Sequence, residues 1–128
     1  MRFPIILVLL LAACLSGPSD PNQRESEALA RELSGRVAGA PVRCVSAPPS
    51  SDFRAVGGST FVMTRGDTIW VNRPGGECPG FRGFSTLLVE SQSGQYCRGD
   101  HVRSLDPGST IPGPICLLGD FVPYRRAP

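Results

Sequence analysis

The chain has 128 residues, which is the size of one domain, and its 15 glycines and 13 prolines indicate many turns and loops. The 13 basic residues, all of them arginine, nearly balance the 11 acidic residues, so the formal net charge is +2. Proteins that bind nucleic acid need a concentrated basic face, and this composition argues against that class.

The first 13 residues have the layout of a secretory signal peptide. Met1 and Arg2 form a short positive region, residues 3–11 are apolar apart from Pro4, and two alanines follow. The apolar run is much shorter than the roughly 20 residues that a transmembrane helix needs. We therefore predict a signal peptide over residues 1–13 and an exported mature chain.

The end of this segment, Leu11-Ala12-Ala13-Cys14, resembles the lipobox of bacterial lipoproteins. The resemblance implies that the chain is cleaved before Cys14 and that this cysteine carries a thioether-linked diacylglycerol. Leu15 rather than aspartate follows it, which implies the periplasmic face of the outer membrane in envelopes that sort by this position. Residues 14–21 are rich in proline and small polar residues and predict a flexible tether. The alternative is an ordinary secreted protein in which Cys14 lies inside the signal peptide.

The cysteine count supports the lipid interpretation. Five cysteines leave one unpaired in an exported protein, and assigning Cys14 to lipid leaves four that can form two disulfides in an oxidising compartment. Four cysteines allow three connectivities, and the sequence does not select among them. We favour Cys44–Cys116, which would tie the first strand of the domain to the last, and Cys78–Cys97. A zinc site is the alternative, but the chain has no C-x-x-C pair and only one histidine, so we predict no bound metal.

Residues 22–39 predict one N-terminal helix. Asn22 and Glu25 have the spacing of a capping box at its start. Gly35 weakens the last turn, and Gly39 is the predicted stop. We expect the helix to pack on the rest of the domain through one apolar stripe at helical spacing, which consists of Leu29, Leu33 and Val37.

Residues 40–126 predict a small β domain, because the apolar period changes to two and turn residues recur about every 8 to 12 residues. Arg65-Gly66-Asp67 separates two such segments and predicts a β-hairpin, and Gly99-Asp100 predicts a second one. Short strands joined by tight turns predict a mainly β fold, a small antiparallel barrel or sandwich that follows the helix and is crosslinked by two disulfides. The predicted strands are residues 42–45, 53–56, 60–64, 68–72, 85–91, 95–98, 101–105, 115–118 and 121–124.

The second half of the chain carries, after Asn72, three cysteine motifs: Cys78-Pro79-Gly80-Phe81, Tyr96-Cys97-Arg98-Gly99-Asp100 and Ile115-Cys116-Leu117-Leu118-Gly119-Asp120-Phe121. They resemble an uncharacterised family of small Gram-negative bacterial lipoproteins, which has a Cys-x-Gly-hydrophobic loop, a Cys-x-Gly-Asp turn and a late cysteine. The resemblance implies an exported, disulfide-bonded β domain. It implies no activity and therefore no catalytic residue.

Residues suited to catalysis are few. His101 is the only histidine, and although it neighbours Asp100, adjacent residues of a strand point to opposite faces. The chain has no Gly-x-Ser-x-Gly elbow and no phosphate-binding loop. We interpret His101 as a surface residue of a strand, and Asp100, Asp106 and Asp120 as turn residues. The sequence predicts no catalytic residue and no cofactor.

Two other features receive structural interpretations. Arg65-Gly66-Asp67 matches an integrin-type tripeptide, but its place between two strand segments predicts a hairpin tip. Trp70 is either a core residue or an exposed anchor, and we favour the core because a single tryptophan in a small β domain is usually partly buried.

Two function classes remain. The first is a lipid-anchored, non-catalytic module that binds or supports other components of the cell envelope. The alternative is a small periplasmic hydrolase or an enzyme inhibitor. The scarcity of ionisable catalytic residues favours the first class. Its expected partners are the membrane, through the lipid on Cys14, and an envelope protein or polymer, but no nucleic acid.

Overall fold

The computed structural model describes residue 17 and residues 20–47, 52–75, 78 and 80–128. The predicted signal peptide and Cys14 lie outside the described residues, as does most of the predicted tether. The described residues form one helix and ten strands: α1 (Pro21–Glu32), β1 (Arg36–Ala38), β2 (Cys44–Ser46), β3 (Phe53–Val56), β4 (Thr60–Arg65), β5 (Thr68–Asn72), β6 (Thr86–Glu90), β7 (Gln95–Cys97), β8 (His101–Leu105), β9 (Cys116–Leu117) and β10 (Phe121–Arg126).

Helix α1 begins at an aspartate cap and ends before a glycine turn. The Asp20 carboxylate accepts a hydrogen bond from the Asn22 amide N–H at 3.0 Å, and Pro21 occupies the first helical position. Proline is favourable there because its N–H is missing and its φ is already helical. Gly35 has a φ of +76°, the left-handed conformation that ends many helices. The capping box predicted for Asn22 and Glu25 is therefore wrong.

The chain after this turn is a strand rather than the last turn of a helix. Strand β1 pairs antiparallel with β10, so the helix predicted over residues 22–39 is too long and the sheet begins before residue 40. Val37 lies on β1 and is 59% exposed, so it is not part of the apolar stripe. Leu29 and Leu33 do pack on the sheet, as predicted.

Five strands form an open antiparallel sheet in the order β1-β10-β5-β4-β3. Strands β4 and β5 are the first predicted hairpin, with Phe61 opposite Asn72 and Arg65 opposite Thr68. Gly66 takes a φ of +54° at the tip, a conformation that glycine adopts without steric cost. This hairpin prediction is confirmed. The edge strands β1 and β3 do not pair with each other. The sheet is therefore not a closed barrel, which was one of the two architectures that the sequence predicted.

The other strands form two small antiparallel sheets, β2-β7 and β6-β8-β9. The hairpin predicted around Gly99-Asp100 is wrong, because β7 and β8 belong to different sheets. At this turn the chain crosses from one sheet to the other and pairs with a later segment. The Gly99 N–H donates to the Leu118 carbonyl at 2.9 Å, and the Leu118 N–H donates to the Asp100 carbonyl at 3.0 Å.

The five-stranded sheet is buried on both faces. In β4 the consecutive side chains Phe61, Val62 and Met63 are all fully buried. Because neighbours in a strand point to opposite faces, both faces of the sheet must be covered at this point. Val62 packs towards α1, in a cluster with Leu29. Phe61 and Met63 contribute to a larger core that includes Val102 of the small sheet. The predicted mainly β, antiparallel fold with one helix is confirmed, and the packing of small sheets on one face is consistent with a sandwich.

The four described cysteines are paired with one another. Cys44 bonds to Cys97, and Cys78 bonds to Cys116. The prediction of two disulfides is confirmed, but the predicted pairings Cys44–Cys116 and Cys78–Cys97 are wrong. Cys44 and Cys97 face each other in the register of β2 and β7, with their Cα atoms 4.1 Å apart. The oxidised pairs also decide against the zinc alternative, since zinc is bound by thiolates.

Candidate functional site

His101 lies on the surface of the small sheet, as predicted. It begins β8 directly opposite Glu90 of β6, and its Nδ1 is 3.3 Å from the Glu90 Oε2. About half of the imidazole is exposed to solvent, at 47%. A shallow cleft of about 240 Å³ adjoins the pair and is also lined by Ser91, Gln92, Gly99 and Asp100.

Two other polar side chains of this cleft, those of Ser91 and Asp100, are engaged with the backbone. Ser91 donates its hydroxyl hydrogen bond to the Gln95 carbonyl at 2.6 Å. The Asp100 carboxylate accepts from the Cys97 N–H at 2.8 Å, which closes the turn between β7 and β8. The cleft therefore brings a histidine and a carboxylate together, but its serine hydroxyl and its aspartate are directed at the chain itself.

The other two aspartates of the Gly/Pro turns contact side chains from distant parts of the chain. Asp106 accepts a hydrogen bond from the Ser85 hydroxyl at 2.7 Å, and Asp120 forms an ion pair with Arg98 at 3.4 Å. Neither contact includes His101. Each of the three aspartates that the sequence singled out therefore has a partner other than His101.

In Gly119-Asp120, glycine is required because another backbone segment approaches closely. A Cβ at Gly119 would collide with the Arg73 carbonyl. The close approach allows two hydrogen bonds with the fully buried Asn72, whose amide group accepts from the Gly119 N–H at 2.9 Å and donates to its carbonyl at 2.7 Å. These bonds fix the segment between β9 and β10 against the five-stranded sheet.

Trp70 is partly buried and packs against the larger core cluster, which agrees with the favoured interpretation. The Arg125 guanidinium lies 5.7 Å from the centre of its ring, within the range of a cation–π contact. Arg65-Gly66-Asp67 forms the tip of the β4–β5 hairpin, where the Asp67 carbonyl accepts a hydrogen bond from the Arg36 guanidinium. Both features therefore have structural roles.

The outward side of the sheet β6-β8-β9, called here the outer face, carries apolar residues. Leu88 lies opposite Arg103, and Leu117 lies opposite His101. Leu88 is 37% exposed and Leu117 is 47% exposed, and the neighbouring Ile115 is equally open at 47%. The inward residues of the same strands, among them Val102, belong to the core. The outer face thus presents polar and apolar groups together, and no described element covers it.

A second exposed feature lies in the segment Gly80–Phe84, called here the aromatic loop. Phe84 is 60% exposed, and the Arg82 guanidinium lies 5.7 Å from the centre of its ring. From the sequence, only Cys78-Pro79-Gly80-Phe81 is interpreted, as a loop, and Phe84 is given no role. The sequence Phe-Arg-Gly-Phe could have indicated an exposed ring, because two phenylalanines three residues apart in a loop cannot both be assumed to be buried.

Comparisons with protein-family models, with curated proteins and with solved structures find no match to this chain. The resemblance to small Gram-negative lipoproteins therefore rests on the cysteine motifs alone. Within residues 20–47, 52–75, 78 and 80–128, no helix is long and apolar enough to cross a membrane. Across the same residues, no group of three or more histidine, cysteine or acidic side chains is placed to hold a metal ion.

Proposed function

We propose that this protein is a lipid-anchored component of a bacterial cell envelope that acts as a non-catalytic binding module. One observation carries the proposal. The folded domain pairs its four cysteines with each other, so the fifth, Cys14, has no partner among them. It stands at the Leu-Ala-Ala-Cys junction that resembles a lipobox. Lipid attachment accounts for both the odd cysteine and its position.

The arrangement of the chain supports the same interpretation. Two disulfides suit an oxidising compartment such as the periplasm. The small sheets and the five-stranded sheet enclose one core as the two layers of a small β-sandwich, a compact unit that a tether can hold at a membrane surface. Leu15 after the cysteine favours the periplasmic face of the outer membrane.

The outer face is the proposed binding surface. Leu88, Leu117 and Ile115 expose apolar area there, and Arg103, Glu90 and His101 add groups that can form ion pairs and hydrogen bonds. Exposed apolar patches with polar neighbours are typical of interaction sites. We propose an envelope protein or polymer as the partner.

The pair formed by His101 and Glu90 favours the second candidate, a small periplasmic hydrolase. A histidine oriented by a carboxylate can act as a general base. In the structure, however, Ser91 directs its hydroxyl at a backbone carbonyl instead of supplying a nucleophile to His101. The geometry therefore favours binding over catalysis.

Membrane fractionation tests the anchor. We expect wild-type protein in the outer membrane and Cys14→Ser in a soluble or uncleaved form, because serine cannot form the thioether. Leu15→Asp is the matched control, since it should keep the acyl mass on Cys14 and change the membrane to which the protein is sorted. Wild-type protein that is soluble and carries no acyl group would overturn the proposal.

Crosslinking in intact cells tests the outer face. Replacing Leu88 and Leu117 with serine should remove at least nine tenths of any crosslinked partner, because the apolar contact area is lost. Val37→Ser is the matched control, since Val37 is 59% exposed on β1 and lies outside the outer face. Equal crosslinking by the double variant and the control would exclude this face as the binding surface.

A further inference from the structure

The aromatic loop Gly80–Phe84 holds one phenylalanine in the core and presents another to solvent. Phe81 is 3% exposed, and its ring centre is 4.9 Å from that of Phe61, whereas Phe84 is 60% exposed. Ser85 closes the loop, because its N–H donates to the Arg82 carbonyl at 2.9 Å and its hydroxyl accepts from the Arg82 N–H at 3.2 Å. The exposed ring is therefore carried by an anchored loop.

The aromatic loop lies beside the first turn of α1. A groove of about 450 Å³ is lined by Arg82 and Phe84 on one side and by Asp20, Pro21 and Asn22 on the other. The acidic groups of this groove bind backbone N–H groups of the protein: Asp20 caps α1, as described above, and the Glu25 carboxylate accepts from the Gly57 N–H at 2.8 Å. Arg82 and Phe84 are exposed, and no hydrogen bond or ion pair of the described residues engages the Arg82 guanidinium.

The length of the tether limits how far this groove can lie from the lipid. Six peptide units connect Cys14 to Asp20, and at about 3.3–3.6 Å per residue they span at most about 22 Å. A domain of about 100 residues has a radius of gyration of about 13 Å, which for a sphere corresponds to a diameter of roughly 34 Å, so the domain is wider than the tether is long. An anchored domain therefore cannot place the start of α1, or the aromatic loop beside it, on the side that faces away from the membrane.

We propose that the aromatic loop is a second membrane contact, in which the Phe84 ring enters the headgroup region and the Arg82 guanidinium binds lipid phosphates. This inference rests on the proposed lipid anchor at Cys14. Aromatic rings favour the interface between headgroups and acyl chains, and arginine forms charge-assisted hydrogen bonds with phosphate. The contact fixes the orientation of the domain on the membrane, so that it is held at two points instead of turning freely about one tether.

Depth-dependent fluorescence quenching tests the contact. Full-length, lipidated Phe84→Trp and Val37→Trp are reconstituted in vesicles of three parts phosphatidylethanolamine and one part phosphatidylglycerol, with and without brominated acyl chains. The two sites are matched, since Phe84 and Val37 are 60% and 59% exposed, but Val37 lies beyond the far end of α1. We expect quenching of the new tryptophan to be at least twofold greater in Phe84→Trp. The signal of Trp70 is common to both variants and is subtracted with the wild-type protein.

The outcomes separate this inference from the proposed function. If the wild-type protein does not float with the vesicles and carries no acyl group, the anchor is wrong and the contact fails with it. If both variants float and their quenching is equal, the anchor stands and the contact is overturned. Hydrogen exchange of the unaltered protein gives an independent reading: the amides of residues 80–84 should exchange at least threefold more slowly on vesicles than in soluble Cys14→Ser, and equal rates would overturn the contact.

Discussion

The five-stranded sheet and the sheet β6-β8-β9 differ in how many of their faces are covered. The larger sheet has α1 on one face and the small sheets on the other, so β4 is buried throughout its centre. The smaller sheet buries one face only, and its strand β6 alternates between exposed and half-buried residues. The difference separates a scaffold, whose residues are fixed by packing, from a surface whose outward residues are not constrained by a core.

The largest loss of stability should come from a substitution in the buried centre of the five-stranded sheet. Phe61→Ala removes a fully buried ring that contacts Phe53 and Phe81, and it should lower the free energy of unfolding by about 3–5 kcal/mol. Leu88→Ala on the outer face should cost about 1 kcal/mol or less. Chemical denaturation of the oxidised protein measures both values. Similar losses for the two variants would show that the small sheet is packed as tightly as the large one.

The second effect concerns the disulfide that joins β2 to β7. Replacing both Cys44 and Cys97 with serine should cost about 2–5 kcal/mol. Because a two-stranded sheet is marginally stable by itself, the loss should be concentrated in that sheet. Hydrogen exchange should accelerate more at Val45 and Tyr96 than at Val62 in β4. Uniform acceleration across all of these amides would contradict the idea that the disulfide acts mainly on the small sheet.

A smaller effect is expected at the bonds between Asn72 and Gly119, which link the two regions. Asn72→Ala leaves the Gly119 N–H and carbonyl without their buried partner, at a cost of about 1–3 kcal/mol. Thr86→Ala, at an exposed position of β6, is the control and should change stability by about 0.5 kcal/mol or less. Thermal unfolding that ranks the two variants equally would mean that this link contributes nothing measurable.

The smallest effect is predicted for the residue that most resembles a catalytic group. His101→Ala removes a half-exposed side chain whose contact with Glu90 lies at the surface, and exposed pairs of this kind are worth about 0–1 kcal/mol, so stability should change little. We also expect the envelope phenotype of the strain to stay unchanged. Loss of function with an unchanged melting temperature would instead support the hydrolase.

The sequence predicts the local parts of this fold well. The hairpin around Arg65-Gly66-Asp67 and the strand Phe53–Val56 follow from period-two apolar residues and turn glycines, and both depend on neighbours in the chain. The helix is also predicted, although its end is misplaced. Glycine at position 35 stops it in the left-handed conformation, and the residues after that turn complete a sheet with β10.

The non-local parts could not be read in this way. The partner of Cys44 is fixed by the register of β2 on β7, and spacing along the chain carries no information about that register. Gly99-Asp100 has the composition of a hairpin turn but is held by Leu118, which is distant in sequence. For the candidate site, the exposure of His101 is predicted from the sequence. The exposed ring of the aromatic loop is not, because the sequence does not say which of its two phenylalanines packs in the core.

The mass of the intact, non-reduced protein purified from membranes tests the central claim most directly. We predict a chain that begins at Cys14, carries acyl groups on that residue, and is lighter than the reduced chain by two hydrogen atoms for each of two disulfides. A chain that begins at another residue and carries no acyl mass would contradict it.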